Sequence, residues 1–383
     1  MCSGRPRVMH VLSSFTTGGA EMNTTRLVAA LRERGFEQIV VSLTPEVHAN
    51  VESLLAVPLL YPDRSRRLLG SVAYLTGIAR EFSPDLIHGR AYRSWPECSA
   101  AKLFARRRPK LIQSFHGATS LDIERRRRKI MAFCMRDLTD AFITVSHDLA
   151  RRVVEQWRLP PDRVEVIANG VDLNRFNPAA DNRALRAALG ISCDAFVIGS
   201  VGSLREVKNP RFLIRAFAEF SRHAGNACLL IVGDGPLRSE LEALGRELGV
   251  SPRILFCGRQ SNVRDHIAAM DLFVQPSFKE GSPTAVLEAL ACGVPVIAAR
   301  SSGCRELQER TGLPLLVDGQ DDTALAEQLI DLHADAPRRA ALGQRGRQVV
   351  AESFSFERMI NAYERTYRAL IGVENPLAVG AAE

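Results

Sequence analysis

Two glutamates, Glu280 and Glu288, stand with seven residues between them in Lys279-Glu280-Gly281-Ser282-Pro283-Thr284-Ala285-Val286-Leu287-Glu288. An apolar run, Asp271–Gln275, precedes them and reads as a strand; a second, Pro295–Ala299, follows. The stretch between reads as loop then helix. Ser282 suits the helix cap, Pro283 its first turn and Gly293 its end. Glu280 is then expected in the loop at the helix N-terminus, with Glu288 about two turns along. A helix N-terminus offers free N–H groups and partial positive charge to an anion. Gly281 allows close backbone approach. Glu280 can accept from sugar hydroxyls and Glu288 from a ribose, so the block suits a sugar nucleotide. Two glutamates at this spacing are ordinary surface residues when met alone; the rest of the chain decides.

Other candidates also sit between a strand and a helix, where a parallel sheet places its ligands. Gly18 and Gly19, in Phe15-Thr16-Thr17-Gly18-Gly19-Ala20-Glu21, could turn backbone amides toward a phosphate or sugar. In Gly202-Ser203-Leu204-Arg205-Glu206-Val207-Lys208-Asn209-Pro210, Arg205 and Lys208 could neutralise a diphosphate at the following helix. A departing nucleoside diphosphate gains negative charge, so fixed cations there favour the transition state over the ground state. His116, before Gly117, and His88 each end a strand, and either could bond a sugar hydroxyl or a phosphate. His10 and His147 read as structural. Backbone near Arg259 could meet a base, and Val232-Gly233-Asp234-Gly235-Pro236 reads as a tight turn that shapes a loop.

The elements that must position these residues follow an α/β pattern. Short apolar strands alternate with amphipathic helices, as in doubly wound parallel sheets. Strands are expected at Arg7–Leu12, Gln38–Leu43, Asp85–His88, Lys110–Phe115, Ala141–Val145 and Arg163–Ile167. The second half repeats the scheme at Phe196–Val201, Cys228–Val232 and Ile254–Cys257. A helix is expected over Thr24–Arg34, and a closing helix over Phe354–Leu370. At 383 residues two domains are the natural division, and the turn Asn169-Gly170-Val171-Asp172 is the expected junction.

Composition narrows the class further. Nearly half the residues are hydrophobic and no apolar run reaches membrane-span length. The N-terminus lacks a signal-peptide layout, so a cytoplasmic protein is expected, with its eight scattered cysteines read as reduced core residues rather than metal ligands. The net charge of +7 is uneven: residues 1–170 carry 26 Lys+Arg against 17 Asp+Glu. The excess gathers in Arg106–Lys110 and Arg125–Lys129. No aromatics interleave these runs and no nucleic-acid motif accompanies them, which argues against nucleic acid. Ile130-Met131-Ala132-Phe133 follows the second run, so an anionic membrane surface and a solvated helix face are both open readings.

Taken in order, these pieces resemble the GT-B retaining glycosyltransferases of family GT4. The resemblance runs through Gly18-Gly19-Ala20-Glu21, Pro84–His88, Phe115-His116-Gly117, Val145-Ser146, Ile167–Asp172, Val201–Asn209, Val232–Pro236 and Glu280–Glu288 with Gly293-Val294-Pro295-Val296. It implies two Rossmann-like domains facing across a cleft. The first, 1–170, would bind a glycan or lipid-linked acceptor. The second, 171–353, would bind a nucleotide-sugar donor, and the helix at about 354–372 would cross back. It implies that Glu280 holds donor-sugar hydroxyls, Glu288 the ribose and Lys208 the diphosphate, with Gly202, Ser203, Gly281, Ser282, Pro283 and Thr284 around them. His116 would lie near the reacting sugar. Transfer would retain anomeric configuration without a metal or other cofactor, the departing phosphate oxygen helping to take the acceptor's proton. Many members carry arginine where this chain has Ser203; Arg205 is the candidate replacement. Epimerisation or hydrolysis of a sugar nucleotide, or nucleotide-sugar binding without turnover, remain alternatives. A dinucleotide oxidoreductase is disfavoured because no G-x-G-x-x-G opens either domain.

Overall fold

The computed structural model describes residues 5–15, 19–47, 52–116, 126–178, 182–313 and 316–373. The chain divides into two compact units. One holds the residues up to Asn169 and those from Glu357 on; the other holds Gly170–Phe356.

In the first unit the order is β1 (Arg7–Leu12), α1 (Gly19–Glu33), β2 (Glu37–Ser42), β3 (Leu59–Leu60), α2 (Leu68–Phe82), β4 (Leu86–Arg90), α3 (Trp95–Phe104), β5 (Lys110–Phe115), α4 (Arg126–Arg136), β6 (Ala141–Thr144), α5 (His147–Trp157) and β7 (Val164–Val166). All seven strands are parallel, in the order β3-β2-β1-β4-β5-β6-β7. Strands buried on both faces need continuous apolar runs, and β1, β4 and β5 supply them with Val8, Met9, Val11, Leu86, Ile87, Leu111 and Ile112, all fully buried. Beneath β5 and β6 an aromatic cluster of Trp95, Phe115, Phe142 and Trp157 fixes α3 and α5, with rings 5.2–6.5 Å apart. Ser146 caps α5 by accepting from the Leu149 amide at 3.3 Å.

The second unit holds α6 (Arg183–Ala188), β8 (Phe196–Val201), α7 (Pro210–Phe220), β9 (Ala227–Val232), α8 (Arg238–Glu247), β10 (Ile254–Gly258), α9 (Val263–Ala268), β11 (Leu272–Gln275), α10 (Thr284–Ala291), β12 (Val296–Ala299), α11 (Ser302–Thr311), β13 (Leu316–Val317), α12 (Asp322–Ala334) and α13 (Ala336–Ser353). Its six parallel strands run β10-β9-β8-β11-β12-β13, the dinucleotide-fold order. Helix α7 buries Phe212, Leu213, Ile214, Phe217 and Phe220 against this sheet. Each such side chain contributes about 1.5–3 kcal/mol when fully buried. The chain enters and leaves the unit side by side: the Val171 amide donates to Phe354 O and the Phe356 amide donates to Val171 O, both at 2.8 Å.

A last helix, α14 (Phe356–Ile371), begins two residues later than expected, because Phe354 and Ser355 are used in that pairing. It packs on the first unit. Met359, Ile360, Tyr363 and Tyr367 are buried, and Arg34 bonds Asn361 and Glu364 while also pairing with Glu357. Arg368 closes the network on Glu364 at 2.8 Å.

Candidate functional site

In an open parallel sheet the strand order reverses at one point, and ligands bind outside the carboxyl ends of the two strands there. In the second unit those strands are β8 and β11, neighbours in the sheet but 71 residues apart at Val201 and Leu272. Beyond β8 the chain runs through Gly202–Arg205 into a short 3₁₀ turn, Glu206–Lys208, before α7. Beyond β11 it runs through Pro276–Gly281 to α10. The two loops meet: the Phe278 amide donates to Val207 O at 3.0 Å.

At this meeting point Lys208 Nζ donates to Glu280 Oε1 at 2.7 Å. Gln275 Nε2 donates to the same oxygen at 2.8 Å and to Ser277 Oγ at 2.6 Å. Glu280 is 8 % exposed, and Gln275 and Ser277 are buried. Both bonds fall on Oε1, so among the described residues Oε2 is left for another donor. Gln275 Oε1 is also buried and without a partner. An ammonium carries three protons, of which the Glu280 bond takes one. The site thus combines a partly spent cation with two unspent acceptors, a set that matches a phosphate beside a hydroxyl-bearing ligand. Gly202, Ser203, Leu204 and Lys208 line one cavity here with Gln275, Pro276 and Ser277.

Two glycines hold the loops in place. Gly233, at φ +138°, lies so close to the Gly202 carbonyl that a Cβ there would come within 1.9 Å of its oxygen. The turn after β9 thereby supports the Gly202–Leu204 loop: Leu204 N donates to Asp234 O at 3.1 Å, and Leu237 N donates to Leu204 O at 3.2 Å. On the other side the start of α11 clamps Glu280. Gly303 N donates to Glu280 O at 2.9 Å and Ser302 Oγ donates to it at 3.1 Å. Gln275, Ser277, Ser302 and Gly303 were not singled out by sequence reading. Gln275 ends a strand facing the same edge as Glu280, which was the available signal; Ser302 and Gly303 offered none.

The remaining candidates fall out as follows. Glu288 lies on α10, half-buried, and Glu280 lies in the loop before it. Ser282 does not cap this helix. Pro283 occupies the cap position with no side-chain bond, and Thr284 opens the helix. The Thr284 amide is turned back onto Ser282 O at 2.9 Å, so Ser282 contributes its carbonyl rather than its hydroxyl. Gly281 and Ser282 are half-buried, and Gly293, at φ +75°, follows the helix end. Arg205 is exposed, and among the described residues no hydrogen bond or ion pair ties its side chain down. Arg259 is exposed just after β10. Gly18 and Gly117 lie outside the described residues; Gly19 opens α1.

His116 belongs to the first unit, one residue past β5. Its Nε2 and His88 Nε2 both bond Ser114 Oγ at 2.8 Å, and His88 Nδ1 bonds Tyr367 Oη at 2.5 Å. His88 is therefore corrected: fully buried with both ring nitrogens engaged, it has no atom left for a sugar. The chain of bonds instead holds His116, whose buried Nδ1 has no partner. Burial and the Arg90 charge push the pKa of both imidazoles down, so both are neutral. His10 bonds Gln38 Oε1 at 3.0 Å through Nε2, and burial lowers its pKa to about 3. Among the described residues no three His, Cys, Asp or Glu side chains gather as a metal site, and no helix is long and apolar enough to cross a membrane. Cys134 and Cys193 are exposed, against the expectation of core cysteines; Cys98, Cys292 and Cys304 are buried.

The chain resembles known proteins over most of its length. Residues 181–349 match the family model described as glycosyl transferases group 1, and residues 17–175 match that of glycosyltransferase family 4. The chain is 29 % identical over 369 residues to N-acetyl-alpha-D-glucosaminyl L-malate synthase of Bacillus anthracis, covering 92 % of this chain and 94 % of that protein. It is 34 % identical over 257 residues to D-inositol 3-phosphate glycosyltransferase of Mycobacterium tuberculosis, covering 62 % of this chain and half of that one. Among solved structures, Anabaena Alr3699/HepE in complex with UDP and glucose superposes with a TM-score of 0.84 at 22 % identity, over 95 % of this chain and all of that one. WaaG, a glycosyltransferase involved in lipopolysaccharide biosynthesis, does so with a TM-score of 0.75 at 19 % identity, over 95 % of this chain and all of that one.

Proposed function

Because the chain belongs to the GT-B glycosyltransferases of family 4, we propose that it moves a hexose-type sugar from a nucleoside-diphosphate donor to a glycan or lipid-linked acceptor. The observation that carries this reading is the Lys208–Glu280 pair at the switch point of the second sheet. Lys208 meets the diphosphate with its remaining protons, and Glu280 Oε2 and Gln275 Oε1 accept from sugar hydroxyls. Glu288 takes the ribose. The solved relative holding UDP and glucose supports a donor of this class. As the bond to sugar breaks, negative charge grows on the phosphate beside Lys208, so the cation stabilises the transition state more than the bound donor. Retention follows if the departing oxygen takes the acceptor's proton on the same face. Because Lys208 supplies the positive charge, we expect turnover to persist in EDTA.

Among the described residues Arg205 is the free cation nearest in sequence to Ser203, and an unrestrained exposed side chain can swing to a diphosphate only once donor arrives. Ser203→Arg, which restores the residue many family members carry, is expected to raise turnover and not create it. Turnover that appears only in that variant would instead support a binding protein without catalysis.

The acceptor half of the proposal includes a membrane. Leu103 and Phe104 on α3 and Ile130 and Phe133 on the neighbouring α4 are exposed beside Arg106–Lys110 and Lys129; Arg125 lies outside the described residues. Apolar side chains ringed by cations suit the interface of an anionic bilayer on the cytoplasmic face. Co-sedimentation with anionic but not zwitterionic vesicles, weakened by Ile130→Ser with Phe133→Ser, is expected; equal pelleting with both would remove this part.

The deciding experiment is a donor screen. Purified protein is incubated with UDP-, GDP- and ADP-sugars, and nucleoside diphosphate release is followed with and without acceptors, beside Glu280→Ala. Release that needs acceptor and is lost in the variant establishes the transferase. Donor conversion without acceptor would favour the epimerase or hydrolase reading.

A further inference from the structure

The first unit has a switch point of its own, between β1 and β4, and a buried cation stands on it. Arg90 is the last residue of β4, in register with Leu12 on β1 and with Ser114 on β5. It is 3 % exposed. Its Nε and Nη1 are buried with no hydrogen-bond partner, and among the described residues no carboxylate forms an ion pair with it. Its guanidinium lies 5.9 Å from the centre of the Tyr363 ring. The ionisable neighbours that feel its charge are His10, His88, His116, Tyr363, Tyr367 and Glu21. Burial holds the three imidazoles and two phenols neutral. It also pushes the Glu21 carboxyl up, against the pull of Arg90. Among the described residues the guanidinium is thus held by no ion pair, with the Glu21 carboxyl as the acidic group that feels it. A buried charge with unused donors is costly and persists where something else satisfies it.

His116 Nδ1, likewise buried and without a partner, lies on the same edge of the sheet. The bond chain through Ser114 has two polarities. In one, Tyr367 donates to His88, His88 to Ser114 and Ser114 to His116 Nε2, which leaves a proton on His116 Nδ1. That polarity turns His116 into a second donor without a net charge.

We propose that Arg90, assisted by His116, receives an anionic group, carboxylate or phosphate, carried by the acceptor. Charge-assisted N–H bonds from a guanidinium suit either group. The inference rests on the reading that the first unit takes the acceptor, and it narrows that acceptor to a molecule with an anion close to its reacting hydroxyl.

The test is a thermal-unfolding titration of the full chain with a nucleoside diphosphate at saturation, so that the Lys208 site is filled. The probes are L-malate, glycerol 3-phosphate and neutral glycerol, at ionic strength matched with chloride. Stabilisation by one or both anions, and none by glycerol, is expected; which anion acts distinguishes carboxylate from phosphate. Arg90→Gln should weaken anion binding about tenfold to a hundredfold, the loss of charge-assisted bonds, while nucleotide binding is unchanged. Without ligand it should melt no lower than the wild type, because it removes a buried charge that no ion pair holds among the described residues. Arg90→Lys should bind anion with intermediate affinity. No anion effect in the wild type, or an equal effect in Arg90→Gln, overturns the proposal, as does an Arg90→Gln protein that is destabilised and still binds anion. If no nucleotide stabilises the wild type, the donor reading fails instead, and the anion titration without nucleotide still decides the role of Arg90.

Discussion

A methyl group added at Gly303 tests whether α11 sets the position of Glu280. An ideal Cβ there would lie 2.8 Å from Glu280 O and 3.2 Å from the carbonyl carbons of Glu280 and Gly281. Ordinary contact begins near 3.4 Å, so about 0.6 Å of movement is required, and all three obstructing atoms are backbone. Helix α11 resists moving, because Cys304 and Leu307 are buried on its inner face. The Glu280 loop therefore moves, and with it the carboxylate held between Lys208 and Gln275. Overpacking of this kind costs about 1–3 kcal/mol, while alanine in place of helical glycine returns up to about 1 kcal/mol. The melting temperature is a weak readout, since these terms partly cancel. Catalysis is the strong one: a misplacement approaching 1 Å can cost on the order of a hundredfold. Gly303→Ala is expected to lower kcat by roughly tenfold to a hundredfold with a small change in melting temperature. Gly225→Ala, in the same unit with nothing within 4 Å of the added carbon, is the control and should leave kcat unchanged. Wild-type kcat in Gly303→Ala, with a raised melting temperature, would refute the clamp.

Three further outcomes are expected. Lys208→Met should lower kcat by on the order of 10²–10³, the usual effect of removing one transition-state stabilising group, as read in the donor assay; a change confined to KM would move Lys208 to ground-state binding. Tyr367→Phe removes the partner of His88 Nδ1 in a buried chain and should cost about 1–3 kcal/mol in urea unfolding, with an unchanged value indicating that the bond is not made. His10 has a folded pKa of about 3, below its unfolded value near 6.5, so its contribution to stability is complete above pH 6.5 and is lost as pH falls toward 3. His88 acts with the same sign. Unfolding free energy should drop by about 1.4 kcal/mol per pH unit for each such histidine below pH 6, and His10→Leu should show a shallower slope than wild type between pH 6 and 5.

What the sequence disclosed divides along a physical line. Strands buried on both faces carry their signal in a few adjacent residues, so β1, β5 and β8 were read with their true bounds. The two-residue edge strands Leu59–Leu60 and Leu316–Val317 have no period to detect and were not read. The same line runs through the site. Lys208 and Glu280 were legible because each follows its own strand and chemistry is expected there, and their bond across 72 residues follows from the strand order. The Ser282 cap failed because a local propensity competed with a tertiary demand: the loop must bring Glu280 to Lys208, and Pro283 ends up at the cap. Arg90 was invisible for a deeper reason. In sequence it is one arginine in a basic half, read with the net charge. Its meaning comes from what fails to surround it, and an absent partner becomes visible only once the strands beside it and α14 are in place. A sequence can nominate the groups that chemistry needs; it cannot show which buried charge stands without an ion pair among the described residues, and that is where a ligand has the most to gain.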